Sequence, residues 1–320
     1  MHKKGKSITP IFVFLFCLLL IVAIASLLIG PASFSFSIVW QLRFPRLLLA
    51  ILVGSTLAIS GGALQGILRN PLADPYILGI SSGAACGASF ALISGLKVGL
   101  LGSLFVPLMA FTGGVFTIFV VYHLAKVGTK IPSDTLLLSG VIIGSFFAAL
   151  IMLIMALARR ELVEIIYLLM GNLGIIFYER TIPLFVVVAA IAFFTNIIIF
   201  SHSRDLNLFS LGEEEAQELG VEIEMVKRRI FFVTSLSIGA MVSLSGAIGF
   251  IGLVIPHLAR ILVGPDYRYL IPTSFLMGSS LLIIADTMAR TICPFEIPVG
   301  VITALFGVPF FIYLLRLRKK

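Results

Sequence analysis

Residues 11–30 read IFVFLFCLLLIVAIASLLIG, twenty consecutive residues without a charge. An α-helix of about 20 apolar residues crosses a bilayer core about 30 Å thick, so this stretch predicts a membrane-spanning helix. It follows the basic residues Lys3, Lys4 and Lys6, as the apolar part of a secretory signal would. That part of a signal is only about 7–15 residues long, however. We therefore expect an uncleaved first span.

The composition of the whole chain continues this pattern. Of its 320 residues, 59% are hydrophobic and 12% are charged, and the mean hydropathy is +1.15. Soluble domains carry about 25% charged residues, so this chain has too little polar surface to cover a water-soluble globule. Its apolar runs are unbroken, which disfavours the alternating strands of a β-barrel. The composition excludes a soluble enzyme and a disordered chain, and it predicts an all-α integral membrane protein.

The chain holds ten apolar runs, and the placement of its basic residues supports that number. The runs cover residues 11–30, 46–66, 76–95, 104–125, 136–157, 182–200, 230–249, 250–264, 270–291 and 299–315. With a cytoplasmic N-terminus and alternating spans, sixteen of the 23 Lys and Arg residues lie inside, as the positive-inside rule requires. Both termini are basic and are expected in the cytoplasm, which demands an even number of spans. The net charge of +8 then reflects cytoplasmic loops and not a nucleic-acid partner.

Small residues recur at spacings of four on two of these runs. They are Gly79, Gly83 and Gly87 on the third run and Gly140, Gly144 and Ala148 on the fifth. This spacing places each trio on one face of a helix. Helices in lipid associate through close packing of small residues, so we expect both faces to be helix–helix contacts.

The longest polar segment between runs covers about residues 201–229, on the predicted cytoplasmic side. Within it, residues 212–220 read GEEEAQELG, a short acidic, helix-forming stretch between two glycines. Because the other loops are kept short, we favour a docking helix for a cytoplasmic partner. A solvated surface helix is the alternative.

The residues that could support chemistry within the chain are few. Residues 5–7 read GKS, but the upstream glycine of a phosphate-binding loop is absent, so any ATP hydrolysis must come from another subunit. The cysteines, Cys17, Cys86 and Cys293, lie far apart, and the four histidines have no ligand spacing with a cysteine or carboxylate. We therefore expect no metal site, no cofactor bound by this chain and no enzymatic activity of its own.

The charged residues near the predicted outer ends of the spans allow two interpretations. Arg43, Arg46 and Arg290 run against the positive-inside rule, so they either bind an acidic patch on an external protein or reach lipid headgroups. Asp286 is the only carboxylate well inside a predicted span. We favour a structural role in which Asp286 accepts hydrogen bonds from neighbouring helices and holds the ninth span. An ion-coupling role is the alternative.

Several longer motifs resemble the FecCD-type permeases of ABC importers, which carry iron–siderophores, haem or cobalamin. They are RFPR at 43–46, GGALQG at 61–66, NPLADP at 70–75, LGISSGA at 78–84, GFIGLVIPHLAR at 249–260 and EIPVGVITA at 296–304. The match runs in order along nearly the whole chain. Two departures are visible: Phe44 stands where leucine is usual, and residues 167–173 read YLLMGNL where the family has Trp-Leu-x-Gly-Ser-Leu.

The resemblance implies an architecture and a set of partners. It implies that residues 1–320 form a single permease domain of the type II ABC importer architecture, with ten helices, in a bacterial or archaeal cytoplasmic membrane. Two such subunits, in the simplest case a homodimer, enclose a path at the dimer axis that opens to one side at a time. Two cytoplasmic ATPase subunits, which carry the ATP and Mg²⁺, drive that motion, and an external binding protein delivers the cargo.

The resemblance also implies roles for particular residues. ATPase docking is expected at Glu213, Glu214, Glu215, Ala216, Leu219 and Gly220. The binding protein is expected to dock at Arg43, Arg46 and Arg290. The fifth and tenth helices line the path in the family, which implies a lining that includes Val141, Gly144, Phe147, Ile302 and Phe306.

Two other classes of function remain as alternatives to an ATP-driven importer. An ion-driven secondary transporter would need no ATPase partner, but it usually carries several ionisable residues within its spans. A membrane scaffold or an intramembrane enzyme is disfavoured because the spans hold no pairing of a nucleophile with a base. The cargo stays open among iron–siderophores, haem, cobalamin and a simpler oxyanion chelate.

Overall fold

The computed structural model describes residues 8–30, 35–95, 104–158, 160–174 and 181–317. Within these ranges the chain is helical, without strands apart from one isolated bridge between Val127 and Lys130. The helices are α1 (Thr9–Leu28), α2 (Phe36–Ile67, with a π-helical turn at Val39–Arg43), α3 (Ile80–Ile93), α4 (Phe105–Ala125), α5 (Ser133–Leu157), α6 (Leu162–Met170), α7 (Thr181–Ser201), α8 (Ser203–Phe209), α9 (Glu213–Glu218), α10 (Ile223–Ser245), α11 (Ile251–Val263), α12 (Tyr267–Thr291) and α13 (Val299–Leu317). A 3-10 turn at Pro75–Leu78 precedes α3.

Each of the ten apolar runs contains one of these helices. Six of them, α1, α2, α4, α5, α7 and α12, are long and apolar enough to cross a membrane, and shorter apolar helices lie at Ile80–Ile93, Ile251–Val263 and Val299–Ile312. The remaining helix, α10, starts seven residues before its predicted run at residue 230, because the basic residues before Ile230 continue the helix. For the described residues, the prediction of an all-helical protein with several apolar helices is confirmed. The number of membrane crossings stays a prediction.

Helix α2 forms the centre of the bundle. In the most apolar stretch of α2, 83% of the residues are buried, compared with 17% in the same stretch of α1. It packs antiparallel to α12 at a glycine pair, where a Cβ on either Gly54 or Gly278 would collide with the backbone carbonyl of the other. It also packs against α11 where Gly61 contacts the backbone of Gly252. These close approaches give the dispersion contacts that hold helices together when lipid surrounds them.

The glycines predicted to form helix–helix contacts do so on α3 and α5. Gly83 packs against Thr117 and Gly113 of α4, and Gly87 packs against Met109 and Gly113, so a Cβ at either position would collide with α4. On α5, Gly140 lies against the 3-10 turn, and Gly144 lies against Gly79. The third member of that trio, Ala148, is exposed, so only the small-residue contact ends at Gly144, and Ile154 further along α5 clusters with Leu92 of α3.

Helix α6, which hydropathy alone does not predict, packs against an irregular segment at residues 246–250 that separates α10 from α11. The amide of Asn172 donates to the carbonyl of Ser245 at 2.8 Å, and the amide of Ala247 donates to that of Leu168 at 3.2 Å. Gly246 has a positive φ of 64°, and a Cβ there would collide with the Leu168 carbonyl. The YLLMGNL motif therefore braces the break between α10 and α11.

We predict that the glycine pair between α2 and α12 is sensitive to a single methyl group. Gly54→Ala forces the two backbones apart and should lower the free energy of unfolding by about 1–3 kcal/mol. Gly239→Ala in α10 is the matched control, because a Cβ there meets only the Cα of Gly114 at 3.9 Å. Thermal unfolding in detergent measures both. A Gly54→Ala variant as stable as Gly239→Ala would contradict the close packing of α2 against α12.

Candidate functional site

Five charged residues gather at the end of the bundle that the charge bias assigns to the outside; we call them the arginine cluster (Arg43, Arg46, Asp286, Arg290 and Glu296). Arg46 of α2 lies at its centre. Its Nε and Nη2 atoms donate to Oδ1 of Asp286 at 3.2 and 2.8 Å. Its Nη2 and Nη1 atoms also donate to the two carboxylate oxygens of Glu296 at 2.6 and 3.1 Å. One guanidinium therefore joins α2 to α12 and to the segment before α13.

The other two arginines join α1 to the same cluster. Arg290 lies one turn from Asp286 on α12, with its Nε 3.0 Å from Oδ2 of that carboxylate and its Nη2 3.1 Å from Oγ of Ser26 on α1. Arg43 donates from Nη1 to the carbonyls of Leu27 and Leu28 at 2.8 and 2.9 Å. These carbonyls lie at the C-terminal end of α1, where the helix dipole favours a cation.

Burial decides which members of the cluster can respond to an external partner. All three arginines are buried and Asp286 is only 1% exposed, whereas the Glu296 side chain is 41% exposed. The expectation that Asp286 accepts hydrogen bonds from a neighbouring helix is confirmed, and its role in holding α12 stays a prediction. Binding-protein docking at Arg43, Arg46 and Arg290 stays a prediction, since each guanidinium already has partners within the chain. Glu296 has no predicted site role, although its place next to the outer end of Arg290's helix is a signal for one.

We predict different costs for neutralising the two carboxylates. Asp286→Asn leaves two buried guanidiniums without their shared anion and should destabilise the protein by about 3–5 kcal/mol. Glu296→Gln removes a half-exposed partner and should cost at most about 1 kcal/mol. Unfolding free energies in detergent distinguish the two. Equal losses would contradict the central role of Asp286.

The acidic stretch in the 201–229 loop forms α9, which is attached to α10 by an ion pair. Lys227 of α10 lies 2.7 Å from the carboxylate of Glu213 and also donates to the carbonyl of Ile131 at 3.4 Å. The amide of Ile131 in turn donates to the carboxylate of Glu224 at 2.9 Å. Helix α9, the start of α10 and the segment before α5 are therefore connected by charge-assisted hydrogen bonds.

The predicted ATPase-docking residues fall on two faces of this segment. Ala216 is fully buried and anchors α9 to the bundle, and Glu213 is occupied by Lys227. The exposed members of the set are Glu214, Glu215, Leu219 and Gly220. Leu219 is 58% exposed, and the neighbouring Leu211 is similarly exposed. The outward face therefore combines carboxylates with leucines, and the docking role itself stays a prediction.

The same end of the bundle holds a polar junction between α8 and α12. Asp266, outside the predicted spans, accepts hydrogen bonds from Arg268 and from Nδ2 of Asn207 at 2.8 Å. Oδ1 of Asn207 accepts from the amide of Tyr267 at 2.8 Å. The hydrogen bond from Arg268 is the largest cause that lowers the pKa of Asp266 to about 2, against a smaller opposing effect of burial. The junction fixes α8, and thus the docking loop, to α12.

The lowered pKa predicts a pH-dependent contribution of Asp266 to stability. Because its folded pKa lies below the unfolded value near 3.9, the contribution is present above about pH 4 and is lost as the pH falls towards 2. Asp266→Asn should therefore melt below the native protein at pH 7, and the difference should shrink between pH 4 and 2.5. Asp134→Asn controls for the loss of one exposed carboxylate. A difference that stays constant with pH would contradict this assignment.

The residues predicted to line the path divide into exposed and buried members. Val141 of α5 and Phe306 of α13 are exposed on the surface of the chain. Phe147 and Ile302 are buried in it, and Gly144 packs against Gly79. The exposed surface of α5 and α13 carries further apolar side chains at Ile142, Phe146 and Leu305. A path role for the five predicted residues stays a prediction, and the geometry leaves Val141 and Phe306 accessible for it.

The structure also bears on metal and nucleotide chemistry. Across the described ranges, no group of three or more His, Cys, Asp or Glu side chains is placed to hold a metal ion. The GKS sequence at residues 5–7 lies outside the described residues. That this chain binds no metal or cofactor stays a prediction.

Comparison with known proteins agrees with the helical architecture. The model of the FecCD transport family matches residues 9–317, almost the whole chain. The chain belongs to the FecCD transport family. A solved structure described as a metal-chelate type ABC transporter in an inward-facing conformation superposes on it with a TM-score of 0.86 and 34% sequence identity, over 96% of this chain and 99% of the other.

Relatives within the FecCD family have several different cargoes in their names. The cobalamin import permease BtuC of Halobacterium salinarum is 44% identical over 88% of this chain and 74% of its own length. The hemin transport permease HmuU of Yersinia pestis is 37% identical over 96% of this chain and 95% of its own length. The molybdate import permease MolB of Haemophilus influenzae is 35% identical over 88% of this chain and 82% of its own length. The family identifies a multi-pass membrane permease of an ABC importer and leaves the cargo open.

Proposed function

We propose that this chain is the membrane-spanning subunit of an importer for a metal chelate such as an iron–siderophore, haem or cobalamin, driven by two separate ATPase subunits. The family and the neighbouring metal-chelate type transporter support the class of cargo. The proposed topology has ten spans with both termini in the cytoplasm, in a bacterial or archaeal cytoplasmic membrane. The chain itself acts as a conduit and not as an enzyme.

The observation that carries the proposal is the construction of α9. Its outward face offers Glu214, Glu215 and Leu219 to a partner, while Ala216 and the Glu213–Lys227 pair fix its inward face to α10. A small helix whose inward face is fixed and whose outward face is exposed passes a displacement on to the helix that holds it. When ATP brings the partner subunits together, α9 passes that displacement to α10 and, through Ile131, to α5.

At the outer end, the arginine cluster supplies the proposed contact for the binding protein. The three guanidiniums outnumber the two carboxylates, so the cluster carries an excess positive charge. Glu296 is the exposed partner of Arg46, and an external carboxylate that replaced it would keep the guanidinium paired. Asp286 stays in place beneath as the fixed anion. Docking would then exchange one ion pair for another without exposing a buried charge.

The path is proposed to form between two copies of the chain. Exposed apolar side chains on α5 and α13, including Val141, Phe146 and Phe306, offer a surface without fixed charges. Such a lining lets a bulky chelate pass without being held. ATP and the loaded binding protein must each prefer one of the alternating states, because a ligand shifts an equilibrium only through different affinities for its two states.

The structure weakens the alternative of an ion-driven transporter. Asp286, the carboxylate that such a mechanism would use, is held by Arg46 and Arg290 within 3.0 Å. A transported metal cation would have to displace one of these two guanidiniums from the carboxylate.

We predict that removing the exposed face of α9 uncouples import without unfolding the protein. The double variant Glu214→Lys/Leu219→Ala should reduce both co-purification of the ATPase and import at least about tenfold, because interface anchors each contribute about 2 kcal/mol. Melting temperature should change little, since both side chains are exposed.

The matched control carries the same two changes away from α9 and from the proposed path. Glu164→Lys/Leu20→Ala alters one exposed carboxylate on α6 and one exposed leucine on α1. It should keep the ATPase bound and import active. Full import by the α9 variant, or equal loss in both variants, would overturn the assignment of α9 as the coupling element.

A further inference from the structure

A basic pocket lies at the same end of the bundle as α9, apart from the docking face. It occupies about 510 Å³ between the C-terminal ends of α2 and α11 and the start of α12. Its polar lining comes from Gln65, Arg69, Ser210, His257, Arg260 and Tyr267. No carboxylate is among the described residues that line it. The pocket therefore concentrates positive charge at the end of the bundle assigned to the cytoplasm.

Neutral groups hold Arg260 in this pocket. Its Nη1 donates to Oε1 of Gln65 at 2.5 Å, and its Nη2 lies 3.4 Å from the hydroxyl of Tyr267. The amide of Gln65 is oriented in turn, because its Nε2 donates to the carbonyls of Gly252 and Leu253 at 3.2 and 3.4 Å. The guanidinium is thus fixed in direction without losing its charge.

This arrangement differs from that of the cations that are paired with carboxylates. Arg46 and Arg290 share Asp286, Lys227 pairs with Glu213, and Arg268 pairs with Asp266. A positioned arginine without a carboxylate keeps donors for a bidentate anion, and phosphate oxygens match its planar geometry. The exposed Arg69 adds a second positive charge at the mouth of the pocket.

The rim of the pocket indicates the source of such an anion. Ile261, which lines the pocket, is 65% exposed, and the adjoining Leu262 is 46% exposed. A free anion gains nothing from this apolar rim, whereas acyl chains would cover it. Basic pockets between membrane helices at the cytoplasmic surface bind anionic lipid headgroups.

We propose that this pocket binds the phosphate headgroup of an anionic phospholipid from the cytoplasmic leaflet. The phosphate lies between Arg260 and Arg69, and the acyl chains follow Ile261 and Leu262. Ser210, at the other side of the pocket, lies two residues before the docking stretch at residues 212–220. A bound lipid would therefore stabilise the position of α8 and the loop that leads to α9.

Lipid titrations on the full-length protein test this assignment. The purified, delipidated protein is titrated with phosphatidylglycerol, with phosphatidylcholine and with inorganic phosphate, and bound lipid and melting temperature are measured. We expect phosphatidylglycerol to bind and raise the melting temperature, and neither of the other two to do so at equal concentration. Arg69→Gln should weaken apparent phosphatidylglycerol affinity about fivefold, the effect of one basic residue near a membrane surface.

The matched control is Arg204→Gln, which removes an exposed arginine on α8 outside the pocket. It should leave phosphatidylglycerol affinity unchanged. Equal effects of the two variants would reduce the binding to general surface charge and overturn the proposal. An equal shift with inorganic phosphate would assign the pocket to a free anion. Intact lipid binding in Arg69→Gln, together with loss of the co-purified ATPase, would assign it to a carboxylate of that partner.

Discussion

The ion pair between Arg46 and Asp286 is the interaction on which the bundle depends. Two opposite charges buried among apolar helices are tolerable only when they meet, and here they meet across α2 and α12 at 2.8 Å. The pair sets the register of these two helices, and the glycine contact between Gly54 and Gly278 lets them approach along that register. Arg290 extends the pair to Ser26 of α1. A polar lock at one end and backbone packing along the middle define a rigid centre.

Two other segments are attached to that rigid centre. Helix α9 is held to the start of α10 by the Glu213–Lys227 ion pair, and the preceding helix α8 is held to the start of α12 through Asn207 and Asp266. The break at residues 246–250 separates α10 from α11, and α6 braces it through the hydrogen bonds of Asn172 and Ala247. A transporter driven from outside the membrane needs a rigid frame and a segment that passes a displacement to it.

Most of the fold could be predicted from the sequence, whereas much of the site could not. Unbroken hydropathy located ten helices, and glycine spacing located the contacts of α3 and α5. The path residues were harder, because a membrane helix is apolar all round and its pattern does not tell lipid, neighbour and path apart. Phe147 and Ile302 accordingly turned out to be buried, and Ala216 to face inward. The ion pair of Arg46 with Glu296 could not be predicted for another reason: the two residues are 250 positions apart in the chain.

The central claim is that force enters this bundle from ATPase subunits outside the membrane. Proteoliposomes that contain the chain with its co-expressed ATPase and binding protein, offered labelled iron–siderophore, haem and cobalamin in turn, test it directly. We predict that uptake of one chelate requires ATP on the ATPase side, stops with vanadate and continues when a protonophore collapses the proton gradient. Uptake that ignores vanadate and stops with the protonophore would contradict the claim.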